Sequence, residues 1–378
     1  MGTDAAILLA LPIIIGALML CLLATREPAY SNQKSGSKQL VMLLLLVAPV
    51  FIYGFSLVAM RSLDAGNDTP RYVNTYNQLN GIGTSVSVGI RTYGNTEFLW
   101  WPLQSVIKPL LSPRGWLITN YLLVFYFVGI YYRKSARTLG VNAQVFALVF
   151  LTFFLIYSGN IMRQALAVPI GALGFWLFYQ RRFLFASLGI AISIGLHWSC
   201  LVFLTAPALL LPFFNRDRVY LLIPLLSLAL SILSSQIIGD LVNALGVTQI
   251  TDKFNLYFSA DHQSHIGVVW KTANFWICTL SSFTFLLVSK PSLHTDKSIH
   301  IYSLLFLSLV LFGVNTADFS ERYIPFLLLV LPLQIAAIMN SVNAPAVIKS
   351  FSYFGFFLVL AGLVFFAESS QYTLGYTI

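Results

Sequence analysis

FLFASLGIAISIGLHWSCLVFLTAPALLLPFF, Phe183 to Phe214, decides how the chain is threaded. Its 32 residues are too many for one ordinary bilayer span of about 20 and few for two. His197, Trp198 and Ser199 interrupt it near the middle. Charge arbitrates, because cytoplasmic loops collect Lys and Arg. A hairpin turning at His197 puts Arg181, Arg182, Arg216 and Arg218 on one side. With that turn, 13 of the 22 Lys and Arg residues fall inside with 3 of the 13 Asp and Glu residues, leaving 9 and 10 outside. A single span through His197 reverses every later loop, so the hairpin is favoured, with both termini outside.

The rest of the sequence agrees with a membrane solvent. The 378 residues are 58% hydrophobic and 9% charged, against about 25% charged for a soluble domain. Apolar runs fall near 5–23, 40–60, 115–132, 143–158, 165–180, 219–238, 267–289, 299–314, 323–340 and 350–367. With the hairpin they give an all-α, polytopic integral membrane protein of about 12 transmembrane helices. One transmembrane domain, 1–378, has outer loops at 61–114 and 239–265. Glu97 to Leu111 reads as an interfacial helix, near 97–111, because Trp100 and Trp101 suit the headgroup level. Ala5 to Leu23 lacks the positive flank of a cleaved signal and reads as a retained first helix. Scattered basic residues argue against a nucleic-acid surface. Cys21, Cys200 and Cys278 lie in apolar runs without metal-ligand spacing.

Chemistry-bearing residues gather at the outer face. Asp68, before a Thr-Pro step, marks a helix start, with Tyr72 and Tyr76 on its face at spacing four. Asp68 either caps that helix or joins the phenols in binding hydroxyl-rich ligands. Arg163 and Arg322 fall at the outer ends of two helices running inward, where free N–H groups and the macrodipole favour anions. Both suit bidentate phosphate binding; as plain anchors they would instead pair with Glu97, Asp318 or Glu321. Lys271, one turn into another span, is a third cation and a functional candidate. His197 is either a packed, hydrogen-bonded ring or a proton-exchanging group. His262 and His265 lack a third metal ligand.

In chain order these residues make a pattern: Gly66-x-Asp68-x-x-x-Tyr72, then Glu97 among aromatics, Arg163-Gln164-x-x-Ala167, Gly195-x-His197-x-Ser199, and Arg322-Tyr323. The pattern resembles the EpsG/Wzy-type group of bacterial polysaccharide polymerases, including O-antigen polymerases, from about Gly66 to Tyr323. That resemblance implies a GT-C-like, metal-independent glycosyltransferase needing no cofactor. It would join oligosaccharide repeat units carried on undecaprenyl diphosphate, facing the periplasm or cell exterior from the inner membrane. Membrane lipids and a chain-length regulator protein would be its partners, and no nucleic acid. The resemblance implies diphosphate stabilisation by Arg163 or Arg322, with Gln164, Tyr323, Arg71, Tyr72 and Lys271 as further binding residues. His197 is the first choice of base, with Glu97 or Asp68 next. Trp198, directly after His197, departs from the commoner family pattern.

Two other functions fit parts of the sequence. A ligase moving finished glycan to a lipid A core would use the same arginines, but the 27-residue Gly239 to His265 loop is modest for one. A transporter or flippase of lipid-linked sugars would carry inverted repeats and midplane polar residues, whereas here the polar residues collect at one face.

Overall fold

A computed structural model describes residues 51, 55–66, 68–93, 97–135, 161–210, 219–245, 272–288, 297–342, 345, 348–349, 352 and 355–356. The expected spans near 5–23 and 143–158, most of those near 40–60 and 350–367, and Lys271, His262 and His265 lie outside the described residues. The chain divides into two compact units, residues 1–174, 184–203 and 342–378, and residues 175–183 and 204–341. All regular structure among the described residues is helical.

In the first unit, a π-helical turn Phe55–Ala59 leads to α1 Asp68–Gln78, α2 Ile82–Tyr93, α3 Trp100–Ile107 and α4 Pro113–Ser135. Pro70 suits the first turn of α1, where its missing N–H costs nothing. Thr69, Tyr72, Thr75 and Tyr76 form the buried face of α1. Tyr76 is committed to the fold: it stacks on Trp116 at 4.7 Å and donates to the Leu111 carbonyl at 2.8 Å. A helix does lie in the 97–111 segment, α3 with the 3₁₀ turn Lys108–Leu110. Trp100 and Trp101, expected at the headgroups, are instead buried in the protein, while Phe98, Val106 and Leu110 remain exposed.

α5 Met162–Tyr179 and α6 Phe183–Leu196 run antiparallel. Glycines permit their close approach: a Cβ on Gly174 would lie 3.0 Å from the Ala186 carbonyl, and one on Gly189 3.3 Å from the Gly174 Cα. The turn between them, Gln180 to Arg182, closes with Arg182 N–H donating to Leu177 O at 3.0 Å and Arg181 N–H to Phe178 O at 2.9 Å. These bonds satisfy the last carbonyls of α5 and hold Arg181 at φ 58°. α5 is about 27 Å long at 1.5 Å per residue. Arg163 and the Arg181-Arg182 pair therefore mark opposite ends of a helix of near-bilayer length. α6 ends at Leu196, and a 3₁₀ helix, Trp198–Leu210, follows. His197 thus stands in the break at the middle of the 183–214 stretch.

The second unit holds α7 Leu222–Leu230, α8 Ser234–Leu245, α9 Ala273–Val288, α10 Lys297–Phe312 and α11 Ala317–Ser341. α9, α10 and α11 pack on one another. Gln334 of α11 donates to Ser282 of α9 at 3.0 Å and to Ser303 of α10 at 2.8 Å. All three side chains are buried, so the amide ties three apolar helices without an unpaired polar group. Among the described residues two helical segments are long and apolar enough to cross a bilayer, Pro113–Ser135 and Phe319–Ser341. Four shorter apolar helices, Phe183–Leu196, Leu222–Leu233, Ala273–Val288 and Lys297–Phe312, accompany them, besides the 3₁₀ stretch Trp198–Ala208.

Candidate functional site

Arg163 is the second residue of α5 and, with Gln164 after it, is buried. Its Nε donates to the Tyr72 hydroxyl at 2.8 Å, and its Nη1 pairs with Glu97 Oε2. The guanidinium carbon lies 4.4 Å from the centre of the Tyr93 ring and 5.5 Å from that of Tyr72. Those two rings stack at 4.7 Å. Three consecutive segments thus enclose a cation brought from the start of α5: α1 and α2 through the tyrosines and the loop before α3 through Glu97. Cation–π contact of this kind contributes about 0.5–2 kcal/mol. Burial raises both phenol pKa values above the ordinary 10, so Tyr72 and Tyr93 stay neutral at physiological pH. Asp68, at the start of α1, acts on both phenols through its charge.

His197 joins the same cluster from the end of α6. Its Nε2 lies 3.9 Å from Glu97 Oε1. Its Nδ1 receives the Ser199 backbone N–H at 3.2 Å and lies 2.7 Å from the Ser199 hydroxyl. Gln164 donates to that same hydroxyl at 3.3 Å. A polar chain therefore runs from Gln164 through Ser199, His197 and Glu97 to Arg163 and Tyr72, hydrogen-bonded except between His197 and Glu97, with Glu97 only 2% exposed and His197 6%. Backbone contact fixes the junction. Leu99 N–H donates to Gly195 O at 3.0 Å, and Gly195 leaves no side chain between the segments carrying Glu97 and His197.

The remaining sequence candidates are distributed differently. Arg71 lies exposed on α1. Arg322 and Tyr323 belong to the second unit, where Tyr323 packs against Phe319 and Phe326 at 5.0 and 5.6 Å. Because α11 begins at Ala317, Arg322 sits in its second turn instead of at its N-terminus. The free N–H groups invoked for Arg322 therefore belong to residues before it, and the helix-end argument holds for Arg163 alone. Tyr93 and Ser199 are the cluster members not singled out from sequence. Ser199 was visible inside the His-x-Ser element; Tyr93 reaches Arg163 from another helix, and no spacing announces it. No group of three metal-ligating side chains occurs among the described residues.

A buried ion pair is weak evidence of stabilisation, since desolvation offsets most of its attraction. One wrapped by two tyrosines beside a histidine better fits a functional site. No curated protein and no solved structure matches the chain. The model of the EpsG family matches residues 41–378, a range holding every residue of the cluster. The apolar helices, the buried polar cluster at one helix end and a match over nearly the whole length agree, and the chain belongs to the EpsG family.

Proposed function

We propose that this membrane protein is a polysaccharide polymerase joining undecaprenyl-diphosphate-linked repeat units at the outer face of the cell membrane. The carrying observation is Arg163, buried at the start of α5 and held among Tyr72, Tyr93 and Glu97. Arg163 Nη2 has no hydrogen-bond partner among the described residues, which leaves a donor for a phosphate oxygen. In such a reaction the growing chain leaves its lipid diphosphate as an acceptor hydroxyl attacks the anomeric carbon. Negative charge develops on the diphosphate, and preorganised donors stabilise it more than water does. Arg322, in the second unit, is a further candidate for binding a diphosphate. A base from the set His197, Glu97 and Asp68 takes the hydroxyl proton. Holding two lipid-anchored reactants in register accounts for much of the remaining barrier reduction.

Purified protein given lipid-linked repeat units in liposomes should produce a ladder of longer glycans. Arg163→Ala and Arg322→Ala should abolish extension while inserting normally. Labelled substrate that crosses the bilayer without lengthening would replace this reading with transport.

A further inference from the structure

His197 has no nitrogen lone pair to offer as a base. Its Nδ1 accepts the Ser199 backbone N–H, and the Ser199 hydroxyl lies 2.7 Å from the same nitrogen. The backbone N–H assigns Nδ1 as an acceptor, so the Ser199 hydroxyl also donates towards Nδ1 while its oxygen accepts from Gln164 at 3.3 Å. A neutral imidazole with Nδ1 accepting carries its proton on Nε2. Nε2 faces Glu97 Oε1 across 3.9 Å. That distance is too long for a direct hydrogen bond, but one oxygen can bridge it with two contacts of about 2.8 Å.

We infer that Glu97 is the acceptor-activating base and that His197, locked as the Nε2–H tautomer by Ser199 and Gln164, orients the acceptor hydroxyl. The inference rests on the polymerase reading. The hydroxyl oxygen accepts from His197 Nε2–H and donates to Glu97 Oε1. As it attacks the anomeric carbon, the new C–O bond forms and the bond to the diphosphate breaks, its electron pair leaving with the phosphate oxygen. The proton passes to Glu97 and reaches solvent after product departs. Because Glu97 Oε2 pairs with Arg163, proton uptake cancels the charge that neutralises the guanidinium. The Arg163–Glu97 pair then passes from neutral to net positive as the diphosphate gains negative charge. One ion pair couples base and anion stabiliser, and Ser199 and Gln164 are positioning residues. Access is short: Phe98, next to Glu97, is 53% exposed and meets Trp198, next to His197, edge to face at 5.9 Å.

Two measurements on the full-length protein in liposomes test the assignment. In extension assays Glu97→Gln should lower kcat about 10²–10⁴-fold, the range of a lost general base, and abolish the acid limb of the pH–rate profile. His197→Gln retains an N–H donor near Nε2 and should lose about tenfold or less, with that limb in place. Active Glu97→Gln, or loss of the limb in His197→Gln, would return the base role to His197. Independently of turnover, ¹⁵N-histidine NMR should report a protonated Nε2 for the His197 signal, identified by its loss in His197→Gln. Because the residue-199 backbone N–H remains, Ser199→Ala should shift that signal part of the way towards the mixed tautomers of free imidazole, and Ser199→Thr should restore it. A protonated Nδ1 in the native protein overturns the assignment even if glycans lengthen. Absence of lengthening with a protonated Nε2 defeats the polymerase reading instead.

Discussion

Replacing Gly195 by alanine tests whether the contact between two loops sets the site. A Cβ there would lie 2.8 Å from Leu99 Cβ and 3.1 Å from Phe98 Cε2. Carbon atoms sit comfortably at about 3.5–4.0 Å, so the segments must part by roughly 0.7–1 Å. Leu99 Cβ is close to the backbone and cannot rotate away. The separation strains the Leu99 N–H bond to Gly195 O, now 3.0 Å, and carries Glu97 from His197, opening their 3.9 Å gap towards about 5 Å. Overpacking of this kind costs about 1–3 kcal/mol, and a displacement near 1 Å at reacting groups lowers rate about 10²-fold. Thermal unfolding in detergent should show the first effect and initial rates of glycan extension the second. Gly129 of α4 has nothing within 4 Å of its Cβ position, so Gly129→Ala is the control and should match or exceed native stability. Native rate together with native stability in Gly195→Ala would refute the claim that this contact positions Glu97.

Four further outcomes follow from other contacts. Tyr93→Leu removes the ring over Arg163 and should destabilise by about 0.5–2 kcal/mol, while Tyr93→Phe should stay close to native in the same thermal assay. Burial holds the Tyr72 and Tyr93 pKa values above those of the unfolded chain, so the native state keeps protons that the unfolded state releases. Their contribution is complete below about pH 10 and declines as pH rises further; unfolding midpoints against pH should show the decline, and Tyr93→Phe should reduce it. Gln334→Leu breaks the tie among Ser282, Ser303 and α11 and should lower the unfolding temperature by an amount equivalent to about 1 kcal/mol. Arg181→Gly relieves a left-handed backbone at φ 58° and should stabilise by about 1 kcal/mol, read by the same unfolding curves.

Much of the fold was legible because bilayer helices follow a simple length and hydropathy rule. The run expected at 115–132 is α4, and those at 165–180, 299–314 and 323–340 are α5, α10 and α11 within a few residues. The break at His197 was readable because a histidine, a tryptophan and a serine interrupt apolar sequence where 32 residues must divide. The Gln180 to Arg182 turn was marked by charge, yet its left-handed residue was not, because glycine usually fills that position and arginine does here. The helix 219–238 was read as one rod. It is divided at Ser231–Leu233 by a 3₁₀ segment, a distinction in hydrogen-bond register that hydropathy does not encode.

The site was legible in its parts but not in its pairing. Arg163, Glu97, His197 and Tyr72 each stood out as a polar or ionisable side chain in apolar sequence or in a loop expected at the outer face. Their order along the chain fixes no distance, and in sequence terms a pairing with Glu97 makes Arg163 a plain anchor. The geometry makes that opposition unnecessary. Glu97 offers Arg163 one oxygen and turns the other towards His197, so the contact that neutralises the cation also aims the carboxylate. An arginine left bare in a buried site would bear an uncompensated charge. An arginine paired only to a passive carboxylate would have to break that pair to serve an anion. A carboxylate that loses its charge by accepting the proton of the attacking hydroxyl meets both requirements, because the guanidinium is balanced at rest and loses its counter-charge as the leaving group acquires its own.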